Sequence, residues 1–173
     1  MKNFYLTLTL CLFAVSSFAK DLKILSGDLC SILNTSTEAI VKFDYSKTTW
    51  EEDESYESFC GEEYEPRVQN SYNSFIFKAN SYNKDLKFTQ ESDMAKYKII
   101  IKIDNIERHQ GMSMWGRMYI EILGEIEIFD IEKNESICKI KIKDLSGGED
   151  FAPDDRLNKC FTKLAEEFIE FCK

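Results

Sequence analysis

MYIEILGEIEIFDIEKNESICKIKIKD, residues 118–144, is the stretch that decides the fold. Apolar and polar side chains alternate with a period of two on both sides of a single turn signal. Ile120, Ile122, Ile126 and Ile128 share one face, with Glu121, Glu125 and Glu127 on the other. Beyond Asn134, Cys138, Ile140 and Ile142 stand against Lys139, Lys141 and Lys143. The pattern predicts two half-buried strands, 118–130 and 136–144, joined as an antiparallel hairpin. Matching their faces sets the register. A three-residue loop, Glu132-Lys133-Asn134, with Asn134 as its left-handed residue, puts Glu127 opposite Lys139 and Glu125 opposite Lys141. Ile126 then meets Ile140 on the core side.

Working outward, YKIIIKIDNI (97–106) places Tyr97, Ile99, Ile101 and Ile103 on one face and predicts a strand over 97–107. EAIVKFDY (38–45) does the same with Ala39, Val41, Phe43 and Tyr45, and Leu22–Leu25 suits a short strand. Between them, residues 51–65 carry eight acidic side chains and no basic one, which reads as a solvated loop without the ligand pattern of an EF-hand. From Pro66 to about Asn83, Val68, Tyr72, Phe75, Ile76 and Ala79 recur at helical spacing. From Pro153 to Cys172, Leu157, Cys160, Phe161, Leu164, Phe168 and Ile169 do so behind an acidic first turn, Asp154 and Asp155. The economical assembly is α+β in two layers: a mostly antiparallel sheet of four to five strands with two amphipathic helices packed on one face.

The first nineteen residues begin with Lys2, continue through an apolar stretch from Phe4 to Val15 and end in small residues, the pattern of a secretory signal peptide cleaved after Ala19. That apolar stretch is too short to span a bilayer, and no later run is long enough to form an integral membrane segment. Cys11, preceded by Leu-Thr-Leu, does not form a lipoprotein signal. Residues 20–173 are expected to form a single domain. The net charge of −9 becomes −10 without Lys2, so the chain lacks the basic footprint of a nucleic-acid binder.

Five cysteines remain after cleavage: Cys30, Cys60, Cys138, Cys160 and Cys172. On one helix, Cys160 and Cys172 stand roughly 18 Å apart, too far to bridge. Cys30 with Cys60, both in expected loops, is the first pairing to test; buried reduced thiols are the alternative.

HQGMSMWGRM (109–118) connects two of the predicted strands and concentrates the only histidine with three methionines and a tryptophan. Thioether and imidazole donors suit Cu(I), with His109, Met112, Met114 and Met118 as ligands. Met118, however, alternates in phase with Ile120 and belongs to the core, which leaves His109, Met112 and Met114. A loop that caps the core is the plainer reading, and Met112, Met114, Trp115 and Arg117 are candidates for contact with a protein partner. Nucleophilic catalysis finds no G-x-S-x-G elbow and no H-E-x-x-H helix; a Cys–His pair would have to recruit His109, and carboxylate pairs are too common here to discriminate.

FDYS (43–46), YKIIIKIDNI, GEIEIFD (124–130) and DDRLNKCFTKLAEEF (154–168) resemble small secreted proteins of uncharacterised function from Gram-negative gut-type bacteria. At the level of fold the chain is also similar to periplasmic accessory domains, namely the lipopolysaccharide-assembly lipoprotein and the N-terminal domain of TolB. The resemblance covers most of residues 37–172, carries no catalytic signature and transfers no functional residue; the missing lipobox cysteine departs from the lipoprotein members. The expectation is a secreted or periplasmic, non-catalytic binding or accessory protein without a cofactor, whose partner is an envelope or extracellular protein. The competing readings are a Cu(I)-binding protein and a carboxylate- or Cys/His-based enzyme.

Overall fold

The structure is a computed structural model that describes residues 21–110, 118–148 and 153–171. Its elements run β1 (Leu22–Gly27), α1 (Leu29–Leu33), β2 (Thr37–Asp44), β3 (Thr49–Trp50), β4 (Glu54–Ser55), α2 (Tyr56–Cys60), a short 3-10 turn (Gly61–Glu63), α3 (Tyr64–Tyr82), β5 (Leu86–Thr89), β6 (Ala95–Gln110), β7 (Met118–Asp130), β8 (Glu135–Ser146) and α4 (Pro153–Glu170). The hairpin of 118–144 forms as its charges require. Glu125 pairs with Lys141, Ile126 with Ile140 and Glu127 with Lys139. Asn134 takes the left-handed conformation at φ 52°. The turn is nevertheless one residue longer than expected, because Asp130 pairs with Glu135, and an irregularity after Ile128 absorbs the difference before the predicted register begins.

The expected four- to five-stranded, mostly antiparallel sheet is overturned. The sheet has eight strands, in the order β1-β8-β7-β6-β2-β5, with β3 added to β6 and β4 to β3. It is mixed: β2 runs parallel to both β5 and β6, and β3 runs parallel to β6. The cause is the route of the chain. After β2 it turns back through the long α3 before entering β5 and then β6, and a helical crossover of that length returns strands in the same direction. Alternation shows which face of a strand is buried, and is silent about its neighbour and direction. The short β3, β4 and β5 and the helices α1 and α2 were likewise below what a period can reveal.

The acidic run 51–65 is also ordered, in contrast to the loop expected there. Its aromatic residues explain this. Trp50 stacks on Phe59 with ring centroids 4.0 Å apart, and Tyr56, fully buried, stacks between Tyr45 and Trp50. Those rings pull a tight hairpin and one helical turn onto the domain while the carboxylates stay in water.

Phe43 of β2 packs edge-on against Phe75 of α3 and Phe161 of α4, so both long helices lie on the same face of the sheet. Ile99, Ile101, Ile126, Ile140 and Ile142 fill that face with no exposure. Asn80 of α3 supports the edge strand β5 by donating to the Phe88 carbonyl at 2.9 Å and accepting from its N–H at 2.8 Å. Cys30 is disulfide-bonded, whereas Cys60, Cys138 and Cys160 are thiols. Cys30–Cys60, the first pairing to test, is therefore not formed, and the partner of Cys30 lies outside the described residues.

Candidate functional site

The opposite face of the sheet is open, and its centre is a charge ladder. Glu127 accepts from Lys102 at 2.7 Å on one side and Lys139 at 2.9 Å on the other. The two ammonium groups hold its carboxyl down to about 2. Lys141 reaches Asp104 at 3.3 Å. These pairs are cross-strand complements and account for a stable, solvated sheet surface.

Toward the far end of β6 the pattern changes. Core positions are Ile99, Ile101 and Ile103, and the next is Ile106, a step of three where a regular strand steps by two. The pairing with β7 slips between Ile103 and Asn105 at this point. Gly124 makes the slip possible: a Cβ there would lie 2.1 Å from the Lys102 carbonyl oxygen. The bulge reverses the phase of everything beyond it. Glu107 and His109, which would otherwise point at the core, move to the open face beside Glu121.

His109 therefore belongs to β6, as its penultimate residue and paired with Tyr119, in place of the connection where the sequence put it. Its ring stacks on that of Tyr119 at 5.2 Å. Its Nε2 lies 3.2 Å from a Glu107 carboxylate oxygen and 3.1 Å from one of Glu121. Glu107 and Glu121 are themselves a directly opposed cross-strand pair, a placement that puts like charges together. Burial, with Asp144, Glu107 and Asp21 nearby, raises the carboxyl of Glu121, and His109 opposes that shift.

Asn105, almost wholly buried, frames the group. Its amide donates to the second oxygen of Glu107 at 2.7 Å, and its carbonyl accepts from the Thr49 hydroxyl at 2.8 Å and the Glu52 N–H at 3.3 Å. Each amide atom is thus spoken for, and Glu107 is held with its other oxygen toward the imidazole. Arg108, on the other side of the strand, pairs with Glu51 at 3.0 Å. An open recess of about 430 Å³ lies among Glu51, Glu52, Glu107, Arg108 and His109.

Met118 opens β7 as a half-buried residue, while Met112, Met114, Trp115 and Arg117 lie outside the described residues. Sequence reasoning named His109 and missed Glu107, Glu121 and Asn105. The isoleucine step of three was the available signal. Two thiols are held as neutral groups: burial pushes both Cys138 and Cys160 up to about 11, so they remain protonated at neutral pH, and Cys160 donates to the Ile120 carbonyl from α4.

The class these features define is a mixed-sheet protein covered by helices on one face, with a polar group built at the end of its longest hairpin. Among the described residues no helix is long and apolar enough to cross a membrane. No family model and no curated protein matches the chain. Among solved structures it is similar to the PelC dodecamer from Paraburkholderia phytofirmans at 10% identity, over 84% of this chain and 96% of that one, with a TM-score of 0.44. A point variant of that dodecamer gives 9% identity, 85% and 95% coverage and the same score. These are PelC chains and neither the lipopolysaccharide-assembly lipoprotein nor the TolB domain of the sequence resemblance.

Proposed function

We propose that this is a secreted or periplasmic, non-catalytic binding or accessory protein whose contact region is the end of the β6–β7 hairpin. One observation carries the reading. Arg108–Gln110 and Met118–Ile120 pair only with each other, so among the described residues the hairpin ends as a two-stranded ribbon. Apart from the Ile120 carbonyl, which accepts from Cys160, such a ribbon leaves backbone donors and acceptors along its edges, which an extended partner segment satisfies by adding a strand. The connection 111–117 adds Met112, Met114, Trp115 and Arg117, residue types enriched where proteins meet. Residues 1–19 support delivery to the envelope or beyond.

The test is site-specific photocrosslinking in the producing cell. With the crosslinker at Arg108 or Tyr119 we expect a discrete adduct. At Lys141, on the open face, and at Phe77, exposed on α3, we expect none. Adducts confined to positions 141 and 77, or no adduct at 108 and 119, refute the proposal.

A further inference from the structure

We propose that Glu107, His109 and Glu121 form a binding site for a divalent transition cation such as Zn²⁺, independently of whether the hairpin end docks a protein. One ligand atom from each residue falls in a group whose members all lie within 4.8 Å of one another. The two donor edges at His109 Nε2, 3.1 and 3.2 Å, fit the roughly 3.0–3.5 Å spanned by donors that each stand about 2.0–2.2 Å from one ion.

Two further observations point to a ligand in place of a bare ion pair. His109 Nε2 is shielded from solvent and makes no aligned hydrogen bond among the described residues, although two carboxylate oxygens are within reach. A ring nitrogen near two carboxylates with its hydrogen-bond direction unused is the disposition of a lone pair shared with a cation. The second observation is the direct opposition of Glu107 and Glu121 across the β6–β7 ladder, whereas Glu127, on the same face of β7, is flanked by two lysines. A doubly positive ion relieves that opposition. Asn105 then acts as the positioning residue: held by Thr49 and Glu52, it fixes one oxygen of Glu107 and leaves the other for the metal.

The donor set selects the metal. Two carboxylates and an imidazole suit Zn²⁺, Mn²⁺ or Fe²⁺, whereas Cu(I) prefers the thioethers that sequence reasoning paired with His109. The side chains of the three ligands are partly exposed, from 20% at Glu121 to 36% at His109.

The experiment uses the tag-free mature protein. Because His109 is the only histidine in the chain, its imidazole resonances report the site without ambiguity. Titration with Zn²⁺ is expected to shift the Nε2 resonance to saturation at one ion per chain. Glu121→Gln and Glu107→Gln each weaken affinity at least tenfold by calorimetry, and alkylation of accessible thiols leaves it unchanged. Glu51→Gln, a recess carboxylate outside the ligand group, changes it less than twofold. In the absence of metal, Glu121→Gln is at least as stable as the parent chain, so lost binding cannot be ascribed to unfolding. Zn²⁺ that leaves the imidazole unshifted, affinity unaffected by Glu121→Gln, or binding abolished by thiol blocking each overturns the proposal.

Discussion

Replacing Glu127 with Gln removes the charge at the centre of the open face and leaves Lys102 and Lys139 facing a neutral amide. Glu127 is only 7% exposed, and each lysine is held to it by a charge-assisted contact shorter than 3 Å. Its carboxyl sits at about 2 in the folded protein against an ordinary 4.5. At 1.36 kcal/mol per unit the ceiling is about 3 kcal/mol. Both lysines are more than a third exposed, and solvent screening lowers the expectation to about 2 kcal/mol at pH 7. The sign follows from the depressed value: the stabilisation is complete above the unfolded carboxylate range, and is lost as pH falls from 4.5 through 2. Urea unfolding of both proteins at pH 7 and pH 3 reads this directly. Glu127→Gln is expected to cost about 2 kcal/mol at pH 7 and less than half of that at pH 3. An equal cost at both pH values, or none at pH 7, refutes the reasoning.

Gly124→Ala is expected to cost about 1–3 kcal/mol in urea unfolding, because its Cβ meets the Lys102 carbonyl at 2.1 Å; a neutral result removes the steric basis of the bulge. Asn105→Ala removes the acceptor of the Glu52 N–H and leaves the Thr49 hydroxyl only its longer contact to the Asp104 carbonyl, and is expected to cost about 1–3 kcal/mol while weakening Zn²⁺ affinity, measured by calorimetry. Non-reducing peptide mapping of the protein is expected to return Cys60, Cys138 and Cys160 as thiols and Cys30 in a disulfide. A Cys30–Cys60 peptide contradicts it.

The hairpin register was legible because charge and burial agreed residue by residue: Glu127 with Lys139 outside, Ile126 with Ile140 inside. The last helix was legible for the same reason, with Leu157, Cys160, Phe161, Leu164 and Phe168 all buried. The parallel placement of β2 was not, since partner and direction arise from the path of α3 over the sheet and leave no mark on alternation. The acidic run misled because eight charges outweighed three aromatic rings in a composition count, although Tyr56, Phe59 and Tyr64, with Trp50 just before them, decide its structure. The candidate site was half legible. His109 stood out by its rarity, whereas its meeting with Glu121 depends on a one-residue bulge that moves Glu107 and His109 together to the open face.

The site at the end of β6 and β7 is tested most directly by anomalous diffraction at the zinc edge, from crystals of residues 20–173 grown with Zn²⁺. The expected result is one strong peak about 2.0–2.2 Å from Glu107, His109 Nε2 and Glu121. A map with no peak among these three side chains, or with peaks only at other positions, contradicts it.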